Sequence, residues 1–103
     1  MSTRKRLPNR RGSITFDVEA LGLTFTVTAS KFDGAELGEV FIRNDMADSA
    51  AGIMASDCAI AASLALQFGC PVEVLRHALS RDAQGRATGP LGAALDLLMV
   101  QPG

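Results

Sequence analysis

Two consecutive stretches of this chain alternate apolar and polar residues with a period of two, and they fix what its first half can become. Ile14, Phe16 and Val18 alternate with Thr15, Asp17 and Glu19; beyond Gly22, a turn residue, Leu23, Phe25 and Val27 alternate with Thr24, Thr26 and Thr28. That period puts every apolar side chain on one face of a half-buried strand, and the β-branched threonines suit a pleated surface. Asp33-Gly34 is a turn signal. Glu39–Arg43, with Val40, Phe41 and Ile42 at its centre, reads as a third strand. Three neighbouring strands joined by short turns make an antiparallel meander with one face to bury.

Helices must cover that face. Asp45 or Asp48 is placed to cap a helix that runs to about Phe68 and stops at Gly69 before Pro71. Its second half, Cys58-Ala-Ile-Ala-Ala-Ser-Leu-Ala-Leu, is apolar almost all round. A helix of that kind is enclosed on more than one side. One sheet covers only one side, so Ile60, Leu64 and Phe68 are candidates for a homodimer interface. Pro71 suits the first turn of a second helix, with Val72, Leu75 and Leu79 as its apolar stripe. Ser80–Gly89 reads as a surface loop. Leu91–Val100 reads as a last short helix that docks through Leu95, Leu98 and Met99. The expected fold class is therefore α+β: a three-stranded antiparallel meander packed on one long helix plus two shorter helices.

The charge is uneven. Arg4, Lys5, Arg6, Arg10 and Arg11 supply five of the ten basic residues, and all eleven acidic residues lie from Asp17 onward. Residues 1–12 thus read as a basic arm and 13–103 as one α+β domain of ordinary size. Such an arm is a candidate for nucleic acid or another polyanion. It better suits a solvated or partner-docking extension, some of it folded back on the acidic body, because no aromatic residue interleaves the arginines and the chain has no Trp or Tyr for base stacking. No uninterrupted apolar run reaches the length of a membrane span and the start of the sequence has no apolar signal segment, so the expectation is a cytoplasmic protein. Cys58 and Cys70 are then expected to be free thiols acting as small buried hydrophobes.

Chemistry-bearing residues are few. His77, the only histidine, stands four residues after Glu73, the spacing of a pair on one helical face. Asp57 lies inside the apolar helix beside Ser56 and is expected on its exposed strip. Met46, Met54 and Met99 read as core or interface filler. In the loop Ser80–Pro90, Arg81 and Arg86 carry guanidinium forks suited to a phosphate or carboxylate, and Gly85 and Gly89 allow a backbone to approach closely. The alternative is a connecting loop whose arginines pair with nearby acids. The loop lacks the Lys and Ser/Thr of a P-loop.

Three stretches resemble a known family. Arg4-Lys-Arg-Leu-Pro-Asn-Arg-Arg is similar to the basic linker that precedes the C-terminal domain of adenosylcobalamin-dependent ribonucleotide reductases. Gly38-Glu-Val-Phe-Ile resembles that domain's third strand, and Ala62-Ser-Leu-Ala-Leu-Gln-Phe-Gly, followed by Pro71 and Val74-Leu75, resembles its long helix, stop and second helix. The family is named TSCPD for a Thr-Ser-Cys-Pro-Asp motif, where this chain reads Thr88-Gly89-Pro90-Leu91. The family cysteines are missing: Gly89 takes one position, and Arg81–Ala83 and Met46–Ala51 stand where relatives carry others. The resemblance with these departures implies no zinc, no dithiol relay and no cofactor. Reductase chemistry needs a large barrel that 103 residues cannot hold. The resemblance therefore points to a non-catalytic protein-binding accessory module, regulatory in deoxynucleotide metabolism, with a reductase subunit as a candidate partner. The alternatives are a nucleic-acid-binding protein using the arm and a small nucleotide-binding protein using the 80–90 loop.

Overall fold

In the computed structural model, the structure describes residues 3–5, 7, 12–32, 36–46 and 48–100, with Val100 by its backbone alone. Three strands come first, β1 (Ser13–Ala20), β2 (Leu23–Lys31) and β3 (Leu37–Arg43). They form one antiparallel sheet in the order β1-β2-β3, the expected meander. Phe16 opposes Val27, Val18 opposes Phe25, and Val27 in turn opposes Ile42. One face of the sheet is thereby apolar, and Phe25, Val27 and Val40 are fully buried in it. The other face carries Thr15, Asp17, Thr26 and Thr28, where Thr26 Oγ1 donates to Asp17 Oδ1 at 3.0 Å. The β1–β2 turn holds Leu21 and Gly22 at φ of 59° and 71°, the signature of a type I′ hairpin. Asp33-Gly34, the second turn signal, lies outside the described residues.

Helix α1 (Ala50–Gln67) crosses β3, α3 (Pro90–Val100) covers β1, and the short α2 (Val72–Ala78) leans on α3. The fold is α+β, with one long helix and two shorter ones completing the cover. The cap of α1 is Ser49 rather than Asp45 or Asp48: its Oγ accepts from the Gly52 amide at 3.1 Å and donates to the Met46 carbonyl at 2.6 Å. Asn44 sets that turn by accepting from the Met46 amide at 2.7 Å, which delays helix entry past both aspartates. At the far end, Gly69 takes φ 103°. The Cys70 amide reaches the Ala65 carbonyl at 2.9 Å and the Gly69 amide reaches the Leu66 carbonyl at 3.1 Å, a Schellman stop. Pro71 is the extended N-cap of α2 and not part of its first turn.

The buried side of α1 is Gly52, Ala55, Ala59, Ala62, Ser63, Leu66 and Gln67. Small residues at helical spacing let the helix sit low on β3. Ser63 and Gln67 exploit that approach. Ser63 Oγ accepts from the Val40 amide and donates to the Val40 carbonyl, both at 2.9 Å, and Gln67 Nε2 donates to the Gly38 carbonyl at 3.0 Å. A Cβ on Gly38 would stand 2.7–2.9 Å from the Phe32 ring, which would have to shift. Among the described residues α1 is the one helix long and apolar enough, by length and composition alone, to cross a membrane; here its inner face packs on the sheet.

Candidate interaction site

The outer side of α1 is as apolar as its inner side. Ile53, Ile60, Leu64 and Phe68 are 50%, 47%, 40% and 44% exposed, and their spacing places them along one helical face. Asp57, also exposed, stands in the middle of that stripe. Ile60, Leu64 and Phe68, expected from sequence at an interface, thus lie together, and Ile53 extends their row by two turns. Ser56 is half-buried beside the stripe. The cysteines depart from expectation: Cys58 is exposed and Cys70 is intermediate, both as free thiols, because the packing face of α1 passes through Ala55, Ala59 and Ala62. Met46 and Met54 are likewise exposed, at 59% and 68%, while Met99 packs against the core.

The described part of the basic arm lies against the body. The Lys5 amide donates to the Gln67 carbonyl at 2.6 Å, Arg4 Nε donates to Gln67 Oε1, and the Lys5 ammonium sits 4.4 Å from the centroid of the Phe32 ring, a cation–π distance. Gln67, buried at 2% exposure, therefore joins the arm, α1 and β3. Beside it opens a groove of about 540 Å³ lined by Lys5, Phe32, Glu36, Phe68, Cys70 and Glu73 among others. Arg6, Arg10 and Arg11 lie outside the described residues. A smaller, apolar groove of about 250 Å³ runs between Leu21, Met54, Cys58, Leu79 and Pro90.

The arginines of the 80–90 loop both have carboxylate partners. Arg81 grips Asp96 of α3 with both terminal nitrogens at 2.8 Å and also donates to the Gly85 carbonyl at 3.0 Å. Arg76 joins the same carboxylate through Nε at 3.0 Å and holds Glu73 at 2.9 Å. Arg81 first, and Arg76 after it, hold the Asp96 carboxyl down at about 2 against the opposing effect of burial, and Asp96 raises both arginines in return. Arg86 pairs with Asp82 at 3.3 Å. The Asp82 carboxyl is lowered chiefly by the Arg86 backbone amide. A single bridge between Arg81 and Ala87 turns the expected loop into a tight hairpin. Gly85 takes φ 82° in it, and Gly89 precedes α3 with open space at its α-carbon. His77 is 74% exposed and 4.0 Å from Glu73. Among the described residues no group of three or more His, Cys, Asp or Glu is placed to hold a metal ion.

Sequence reasoning missed Asp96, whose role depends on a tertiary contact with Arg76 and Arg81. It also missed Gln67, although a lone glutamine at the end of an apolar helix is a signal of a polar duty. Around the 80–90 loop the arginines Arg81 and Arg86 are paired with carboxylates, and the outer face of α1 carries an exposed apolar row.

No family model matches the chain, and no solved structure matches it. Seventy residues, 68% of the chain, are 36% identical to part of a vitamin B12-dependent ribonucleotide reductase of Agrobacterium fabrum. The same length is 37% identical to proteins of that name from Streptantibioticus cattleyicolor and Streptomyces clavuligerus. The match spans only 6–12% of the length of these relatives. The chain is similar to one short segment of B12-dependent ribonucleotide reductases.

Proposed function

We propose that this chain is a non-catalytic accessory module of the TSCPD type that docks on a ribonucleotide-reductase-type protein through the outer face of α1. The observation that carries this reading is the row Ile53, Ile60, Leu64 and Phe68, exposed along a helix whose inner face already packs on the sheet. A solvent-facing helix side is ordinarily polar, and an apolar row of this length marks a contact surface. The likeness to a segment of B12-dependent reductases supplies the class of partner. Asp57 refines the complement: a lone carboxylate in an apolar row calls for a facing surface that is apolar with one cation or hydrogen-bond donor, since a buried carboxylate without a partner is costly. On this reading the module acts by binding, as a regulator of deoxynucleotide production.

The test is direct binding of the purified chain to a purified B12-dependent reductase by interferometry, alongside a reductase assay of the chain alone. Binding that Leu64→Glu abolishes, with no turnover by the chain, is the expected result. Turnover by the chain, or binding untouched by Leu64→Glu, overturns the reading.

A further inference from the structure

The two edges of the sheet differ in how their outward peptide groups are used. On β3 these groups belong to α1, because Ser63 takes both the amide and the carbonyl of Val40 and Gln67 takes the carbonyl of Gly38. No strand can add there without displacing the helix. Since Val40 directs its peptide groups away from β2, the alternation of an antiparallel ladder sets the phase of the rest. Thr28 bonds toward β3, whereas Val27 and Ala29 bond toward β1, through their partners Phe16 and Ile14. The two-residue turn at Leu21 and Gly22 requires the same phase, with Ala20 and Leu23 as a bonded pair. The amides and carbonyls of Ser13, Thr15, Asp17 and Glu19 therefore point out of the sheet along β1.

No described residue pairs with that edge. Over its eight residues β1 has no proline, no lysine and no bulge; of the devices that discourage strand addition it carries two carboxylates, Asp17 and Glu19. Its apolar face is incompletely covered as well: Ile14 is 43% exposed and Phe16 is only partly buried.

We propose that β1 is a self-association edge, which pairs antiparallel with β1 of a second copy across a twofold axis and joins the two sheets into one. Charge selects the register. The axis must keep apolar face beside apolar face, so opposed residue numbers add to an even total. With the axis at Phe16, Thr15 opposes Asp17 of the second copy and Ser13 opposes Glu19, hydroxyl against carboxylate. On the other face Ile14 meets Val18, and the two Phe16 rings meet in a close, non-hydrogen-bonded pair. With the axis at Asp17, two carboxylates oppose each other, which is unfavourable. The first register satisfies the outward groups of Ser13, Thr15, Asp17 and Glu19 and covers Ile14. This edge is separate from the α1 face, so the two surfaces are independent.

The experiment is light scattering coupled to size exclusion on the full chain across a dilution series. The wild type is expected to dimerise reversibly. Thr15→Asp sets a carboxylate against Asp17 of the other copy, once on each side of the axis, and weakens the dimer about tenfold or more. Adding Asp17→Lys to Thr15→Asp restores opposite charges and restores the dimer in the Phe16 register, but not in the Asp17 register. Leu64→Glu leaves the dimer intact. Hydrogen exchange of the unaltered chain gives a second reading that needs no variant: the amides of Thr15, Asp17 and Glu19 are protected when concentrated and exchange on dilution. A wild type that stays monomeric, a dimer split by Leu64→Glu but not by Thr15→Asp, or amides whose exchange ignores concentration would overturn the proposal.

Discussion

Replacing Asp96 by asparagine keeps the shape of the side chain and removes the charge that Arg81 and Arg76 share. In the native chain three guanidinium nitrogens reach this carboxylate at 2.8, 2.8 and 3.0 Å and lower it from 3.8 to about 2. At about 1.36 kcal/mol per pH unit, that drop limits its contribution at neutral pH to about 2–3 kcal/mol. With 30% of the side chain still exposed, solvent screening reduces the figure to about 1–2 kcal/mol. The folded value lies below the unfolded one, so the contribution is complete above about pH 4 and is lost as the pH falls through about 2. Thermal unfolding followed by circular dichroism measures it. Asp96→Asn is expected to lower Tm at neutral pH by roughly 5–10 °C for a domain of this size, with the gap to wild type closing toward about pH 2. An unchanged Tm at neutral pH would refute the account, as would a gap that persists undiminished in acid.

Ser63→Ala leaves the Val40 amide and carbonyl without the hydroxyl that satisfies both; urea unfolding should show a loss of about 1–3 kcal/mol. Leu21→Asn relieves a leucine held at φ 59° before Gly22 with a residue that tolerates the left-handed region. The urea midpoint is expected to rise, by about 0.5–1 kcal/mol in stability.

The sheet was readable because its signal is repeated: each of Phe16, Val18, Phe25 and Val27 reports the same period, and their register then follows from a short turn. Helix α1 was readable as a helix, with Ile60, Leu64 and Phe68 as a candidate outer row, but its packing face was not. With apolar residues almost all round, composition carries no direction, and the small residues Ala55, Ala59 and Ala62 proved to be the inward ones. That inversion is why Cys58 is exposed, since its neighbours on the packing face are Ala55 and Ala59. The cap moved from Asp45 or Asp48 to Ser49 because Asn44 and Met46 form their own turn first, a local competition the aspartates gave no hint of. In the 80–90 loop the residues were legible and the geometry was not. Arg81 looks available in sequence, yet its carboxylate partner lies fifteen residues further on, and only the docking of α3 brings it there.

The two proposed surfaces follow from one packing decision. Ser63 and Gln67 can seal the outward groups of β3 only if α1 lies close to that strand, and Gly52, Ala55, Ala59 and Ala62 permit the approach. From Gly52 to Ser63 the inner side of the helix is made of small residues only, and Ile53, Ile60, Leu64 and Phe68 stand on the far side. Folding alone does not require them to be apolar, because polar residues there would leave the inner packing untouched; in the proposed function their apolarity serves the docked partner. The same seating closes one edge of the sheet and leaves the other, β1, as the place where a strand can add. Since β1 and β3 are opposite edges, a dimer through β1 carries its two α1 helices at its two ends, both outer faces free. Such a dimer engages a reductase-type partner twice when the partner is itself repeated, and gains affinity from the linkage without any new contact. Thr15→Asp should then weaken capture of a multimeric partner while leaving the one-to-one affinity of the α1 face unchanged. A variant that lowers both equally would mean that β1 and α1 belong to a single interface.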